Sequence, residues 1–209
     1  MKIVSLSLGR PRIVVRGGRQ YSTAIDRRPV DGPVELTPEG FVGDRVADNR
    51  WHGGPDKAIC CYPHEHYAHW SRELGVELSI PSFGENFTTS GLLESEVCIG
   101  YRFRIGDAIL QVSQPRQPCW KLAGKHSQPA LPKWIVAKGY TGFYFRVLEA
   151  APIAAGQTIE LLDRPHPEMP VDRAMWIMAG IAPAEGRAEL AALPELSQDW
   201  REALLKPAQ

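Results

Sequence analysis

Val112–Leu122, VSQPRQPCWKL, reads as a strand that runs into a proline-broken loop with a cysteine at its tip. Ala108–Leu110 and Val112 are apolar enough for a buried strand. Pro115 and Pro118 have no N–H to give a neighbouring strand and are expected to end it. The stiff backbone displays Arg116, Cys119 and Lys121. Two cations within three residues of a thiol favour the thiolate, the form that attacks electrophiles and binds soft metals. Cys119 is therefore the leading candidate for chemistry. Cys60, Cys61 and Cys98 sit among other residue types and read as small buried hydrophobes.

Working outward, Val97–Ile105 and Ala108–Ser113 form a hairpin around Gly106 and Asp107. Lys2–Leu8 alternates apolar and small polar residues and reads as a first strand, and Tyr21–Ile25 as a second after a turn-rich connection over Gly9–Gly18. Val34–Asp48 reads as irregular strands and turns, and Gly142–Glu149 and Gln157–Leu162 as two further strands. Helical spacing is found in His64–Leu74 and in Lys133–Lys138, where Trp134 and Ile135 are expected to be buried and Gly139 closes the helix. Many short strands with few helices predict a mainly β protein, a barrel or closed sheet with peripheral helices, over residues 1–163.

From Arg164 the texture changes to a proline-punctuated linker, RPHPEMP, and three helical segments near Val171–Met178, Ala184–Ala192 and Ser197–Leu205. Leu193, Leu196, Trp200, Leu204 and Leu205 form an apolar stripe. A segment this short buries little core alone, so residues 164–209 are expected to pack on the barrel or on another subunit. No residue in it looks catalytic.

Two further stretches carry polar groups suited to a ligand. In Trp51–Tyr62, WHGGPDKAICCY, Gly53 and Gly54 allow backbone N–H groups to approach an anion closely, and Lys57 adds a charge. The spacing is neither a Walker A loop nor a GxGxxG fingerprint. In Pro81–Gly91, PSFGENFTTSG, Glu85 and Asn86 offer an acceptor and a donor–acceptor pair for a polar ring edge. His64, His66 and His69 crowd one helix, but HEHYAH is not HExxH, and a packed or solvated helix face accounts for them better than a metal does.

Twenty-four basic and twenty-four acidic residues cancel, which excludes bulk attraction to nucleic acid or anionic lipid. No apolar run approaches the roughly 20 residues that span a bilayer, and MKIVSLSLGR lacks signal-peptide features. A cytoplasmic location with four reduced cysteines is the expectation. No CxxC pair supports a structural zinc or a redox dithiol.

The order of these pieces resembles the MOSC superfamily, the fold at the C-terminus of molybdenum cofactor sulfurases, and within it the YiiM-like branch. The resemblance rests on TAIDRRPV (Thr23–Val30), GFVGDRVAD (Gly40–Asp48), HGGPDKAICCY (His52–Tyr62), GENF (Gly84–Phe87) and VSQPRQPCWKL, with the helical tail resembling that branch's extension. Tyr101 departs from an aspartate common in the family.

The resemblance implies a MOSC-type β-barrel whose pocket holds the molybdenum cofactor, a molybdopterin, with Cys119 as a protein ligand to molybdenum. It maps a Lys-Arg-Cys constellation onto Lys57, Arg116 and Cys119. The two cations, with Gly53 and Gly54, suit the cofactor's phosphate, and His52, Glu85 and Asn86 suit the pterin edge or the substrate. It implies an oxidoreductase acting on N-hydroxylated substrates such as hydroxylaminopurines, with electrons from a separate flavin or iron–sulfur protein. No pyridoxal phosphate, NAD or flavin site is visible in the chain itself. Two other functions remain open at this point. Cys119 would carry persulfide from a pyridoxal-phosphate cysteine desulfurase in one; the pocket would store cofactor without turnover in the other. Six tryptophans and the helical tail would serve a homodimer interface or a core equally well.

Overall fold

Residues 1–206 are described by a computed structural model. The strands are β1 (Lys2–Leu8), β2 (Arg12–Arg16), β3 (Arg19–Thr23), β4 (Arg28–Pro29), β5 (Leu36–Thr37), β6 (Gly40–Phe41), β7 (Ile59–Pro63), β8 (Phe87–Ser90), β9 (Arg102–Ile105), β10 (Ala108–Pro115), β11 (Phe143–Glu149) and β12 (Glu160–Asp163). The helices are α1 (Asn49–His52), α2 (Glu65–Leu74), α3 (Trp120–His126), α4 (Leu131–Lys138), α5 (Val171–Met178), α6 (Gly186–Ala191) and α7 (Gln198–Leu205), with a 3-10 turn at Pro55–Lys57.

Eight strands form one curled sheet in the order β12-β9-β10-β11-β7-β8-β1-β4. All pairs in it are antiparallel except β7 with β8. The sheet bends round on itself. The Ile3 N–H donates to the Gln157 carbonyl (3.0 Å), the Gly156 N–H to Ile3 (2.8 Å) and the Ile159 N–H to Met1 (2.9 Å), so the start of β1 is tied to the segment leading into β12. Closing a sheet in this way satisfies edge groups that would otherwise face water. The enclosed core is built from Ile3, Leu6, Ile59, Phe87, Phe103, Leu110, Val112, Phe143 and Phe145. Ala174, Met175, Leu190, Leu196 and Trp200 of the C-terminal helices belong to that same core, so the extension packs on the barrel. A second cluster, with Tyr62, Tyr67, Trp70, Phe83, Leu122 and Ile135, sits between the barrel and α2, α3 and α4.

Several local expectations differ from what forms. The connection over Gly9–Gly18 contains β2, which pairs with β3 around Gly17 and Gly18; both glycines have positive φ (57° and 73°), as a two-residue hairpin loop of right-handed strands requires. The GENF loop runs directly into β8, a short strand flanked by β1 and β7. Phe87, Thr88 and Thr89 are all buried, so no alternation marks it as a strand. The β10 strand continues through Pro115, and the Arg116 N–H still donates to the Gly142 carbonyl (3.0 Å). Beyond Cys119 the chain forms α3 despite Gly124. A side chain at Gly124 would place its Cβ 2.8 Å from the Tyr21 hydroxyl, so the glycine lets the helix lie against β3. Leu131 and Ile135, four residues apart, face the core from α4, which leaves Trp134 about 100° round the helix and 37% exposed. Leu205 is exposed for the same reason at the far end of α7.

Candidate functional site

One cavity of about 780 Å³ opens beside the end of β10 and is lined from six separated parts of the chain. Thr23–Ile25 and Arg27 come from the end of β3 and beyond, residues 39–47 from around β6, His52 to Cys60 from α1 to β7, Gly84 and Asn86 from the loop before β8, Arg116, Cys119 and Lys121 from the end of β10 to α3, and Tyr144 from β11. Its size falls in the usual range for a small-molecule or cofactor site.

Arg116 is the most unusual group in it. The guanidinium is buried, with the residue 5% exposed. Its Nη2 donates to the Phe83 carbonyl (2.5 Å), and among the described residues its Nη1 has no partner and none of its nitrogens meets a carboxylate. A buried cation with a free donor costs stability unless a ligand completes it. Cys119 lies three residues on, half-buried and free, on the same cavity wall. Lys121, the neighbouring cation, donates to the Ser22 carbonyl (2.9 Å).

Of the remaining cations, Arg45 meets only the Asp44 backbone carbonyl (3.0 Å), while Arg27 and Lys57 are paired with acids. Arg27 makes a forked pair with Asp44 (Nη2 to Oδ2 2.7 Å, Nε to Oδ1 3.2 Å) and also donates to Gly84. Burial works against the Arg27 charge and Asp44 more than offsets it, so its pKa is raised. Lys57 is held by Asp199 of α7 (2.5 Å). His52, in contrast, is pushed down to about 4, first by burial and then by the charges of Arg116, Lys121 and Lys57. Near neutral pH it is an uncharged ring able to donate from one nitrogen and accept on the other. Burial raises the Cys60 thiol and the Tyr144 phenol, which also face the cavity, and keeps both protonated.

Of the residues proposed from sequence, Cys119, Arg116, Lys57, His52, Gly53, Gly54 and Asn86 all border this cavity. Two of them have little left for a ligand. The Gly53 N–H donates to Asn49 (3.2 Å) as the cap of α1. The Asn86 amide accepts from the Cys60 N–H (3.1 Å) and donates to the Ser7 carbonyl (3.2 Å) and Asp44 (3.0 Å), locking β7, β8 and β1 together. Glu85 is not brought to the cavity lining: it is fully buried and accepts from the Tyr67 hydroxyl, the Phe83 N–H (2.9 Å) and the Thr88 hydroxyl (2.9 Å), where it braces the wall. Among the three helix histidines, His66 is buried against Glu94 (2.6 Å) and stacked on Tyr140. No group of three or more His, Cys, Asp or Glu suited to a metal occurs among the described residues. Sequence reading missed Arg27, Asp44 and Asp199. The first two stand in the quoted TAIDRRPV and GFVGDRVAD stretches, whose paired charges were the available signal.

Residues 48–160 match the MOSC domain. The chain belongs to the MOSC family. YflK of Bacillus subtilis (strain 168) is 43% identical over 205 residues, 98% of this chain and 93% of that one. The crystal structure of YiiM from Geobacillus stearothermophilus superposes with a TM-score of 0.82 at 38% identity, covering 97% and 96% of the two chains. A Gibberella moniliformis (strain M3125 / FGSC 7600) protein named "Reductase" is 35% identical over 173 residues, 81% of this chain and 30% of its own. This MOSC protein is thus YiiM-like, with a protein named reductase among its relatives. No helix among the described residues is long and apolar enough to cross a membrane.

A molybdenum cofactor, with which MOSC domains are associated, fits the residues present. The unpartnered Nη1 of Arg116 is a built donor for an anionic group, and the Cys119 thiol is a soft donor on the same wall. With no cluster of protein ligands among the described residues, a metal here must bring most of its own ligands, as one chelated by a pterin dithiolene does.

Proposed function

We propose that this protein is a molybdenum-dependent reductase of N-hydroxylated compounds, of the hydroxylaminopurine kind, supplied with electrons by a separate flavin or iron–sulfur protein. The observation that carries this reading is the pairing of a buried, acid-free Arg116 with the accessible Cys119 thiol on one wall of a cavity of cofactor size. The cofactor, when bound, supplies the two-electron chemistry that converts an N–OH group, with two protons, to an amine and water.

The chain's own part is to hold and to shield. Cys119 would contribute one thiolate ligand. Arg116, and behind it Lys57, would bind the phosphate, with Gly54 allowing close approach: at φ 94° it adopts a conformation that side-chain-bearing residues avoid. His52, neutral near pH 7, offers a hydrogen bond to a ring edge or to the leaving oxygen. The buried Arg27–Asp44 pair braces the wall near Gly84 without adding net charge. Carrying persulfide would need the thiol but not a cavity of about 780 Å³ with a buried anion donor, so the volume favours the cofactor reading.

The test is metal and pterin analysis of protein produced with adequate molybdate, wild type beside Cys119→Ala, followed by reduction of a hydroxylaminopurine with an artificial electron source. Stoichiometric molybdenum that is lost in the variant, together with turnover in the wild type, supports the reading. Equal metal in both forms, or cyanide-labile sulfur without metal, overturns it.

A further inference from the structure

Lys57 and Asp199 are 142 residues apart in sequence, and no motif links them. In the fold the Lys57 Nζ and the Asp199 Oδ2 are 2.5 Å apart, and the two side chains are very unequally buried, 8% exposed against 67%. The pair is therefore anchored on the lysine side, with the carboxylate laid over it from outside. The start of α7 is itself pinned to the barrel. The Ser197 N–H donates to the Ser113 carbonyl of β10 (3.0 Å), and the Gln198 N–H donates to Asp56 (3.2 Å). Asp56 is gripped in turn by Arg146 of β11 (2.9 Å), and its carbonyl accepts from the Ser113 hydroxyl (2.5 Å). Trp200 and Leu204 bury the other face of the helix. Asp199 consequently has little freedom to leave Lys57.

We infer that Asp199 is a positioning residue that holds the Lys57 ammonium at the cavity wall and discounts its charge, so that the helical extension tunes how tightly the barrel's pocket binds anions. An ammonium has three donors, so Lys57 can keep Asp199 and still serve an anion. Its net attraction for that anion is reduced by the carboxylate beside it. Arg116, without an acid partner, remains the stronger anchor. Asp199 also stands in the first turn of α7, where any acid would favour the helix dipole. That role predicts a stability effect alone, indifferent to Lys57.

The inference rests on Lys57 serving an anionic group in the cavity, and its test needs neither molybdenum nor turnover. The full chain is titrated with inorganic pyrophosphate as wild type, Asp199→Asn, Lys57→Met and the double variant, at low and at high ionic strength. Removing one negative charge next to the site is expected to tighten binding by about three- to tenfold at low salt. The gain should shrink at high salt, and shrink also in the Lys57→Met background, where Arg116 still binds and only the direct repulsion between Asp199 and the anion is relieved. Asp199→Ala, which cannot accept a hydrogen bond, should show the same sign. Unchanged or weaker binding in Asp199→Asn overturns the inference, as does a gain equally large without Lys57, or no pyrophosphate binding in any form. Failed N-hydroxyl reduction alongside the expected titrations would sink the reductase reading alone.

Discussion

Arg116→Met should make this protein more stable and useless for its ligand. Among the described residues the buried guanidinium meets no carboxylate and leaves Nη1 without a partner, while Arg45 and Lys121, which meet only backbone carbonyls, add positive charge to the same cavity. Its one hydrogen bond goes to the Phe83 carbonyl. Removing that bond leaves a buried acceptor unsatisfied, a loss of about 1–3 kcal/mol. Taking an uncompensated charge out of the wall recovers several kcal/mol of desolvation, and methionine fills most of the stem's volume. The net expectation is stabilisation of about 1–3 kcal/mol, which for a chain of this length raises Tm by roughly 2–4 °C per kcal/mol. Calorimetry with and without pyrophosphate measures it: the variant should melt higher in anion-free buffer, and saturating pyrophosphate should raise the wild type but not the variant. If Arg116→Met melts several degrees lower in both buffers, the arginine is a structural brace and the assignment of an anion site fails.

Other expectations follow from the same geometry. His52 is held at about 4 in the fold against 6.5 free, so the unfolded chain binds the proton more readily. The stability this contributes, about 3 kcal/mol, is present in full above pH 6.5 and is lost as pH falls toward 4, and urea midpoints across that window should show a slope that His52→Gln lacks. Glu85→Gln should cost about 2–4 kcal/mol in denaturant melts, because three donors converge on a group left with one accepting oxygen, while pyrophosphate affinity stays within about twofold. Asp44→Asn leaves Arg27 as an unpaired buried cation and should cost about 3–5 kcal/mol by the same measurement.

What could be read from the sequence and what could not divides along a physical line. Cys119 and Arg116 were legible because prolines fix the backbone that carries them, and a thiol between cations is unusual chemistry whatever surrounds it. The helices of the C-terminal segment were legible because their apolar positions repeat at helical spacing. The surroundings of Glu85 and Asn86 were not legible for the opposite reason: polar residues in a loop look the same whether they face a ligand or also satisfy buried N–H and hydroxyl groups of the wall, as these two do. The β8 strand is buried on both faces and too short to show a period. Asp199 reads as an ordinary acid in a helix's first turn, and its partnership with Lys57 exists only once α7 has docked.

That docking bears on why a protein with balanced charges can hold a positive pocket. Near the cavity Asp44 is spent on Arg27, Asp26 on Arg12 and Arg16, Asp48 on Arg50, and Asp199 on Lys57. Arg116 and Lys121 meet only backbone carbonyls. The acids thus neutralise Arg27 and Lys57 and leave Arg45, Arg116 and Lys121 of the cavity lining uncovered. An anionic ligand gains from that residual charge and would gain less from a uniformly basic surface, which salt would screen. Raising ionic strength should therefore weaken pyrophosphate binding only modestly where Arg116 is intact, since a buried donor is screened less than an exposed one. A steep loss of wild-type affinity with salt would mean that exposed cations, and not the buried guanidinium, hold the ligand.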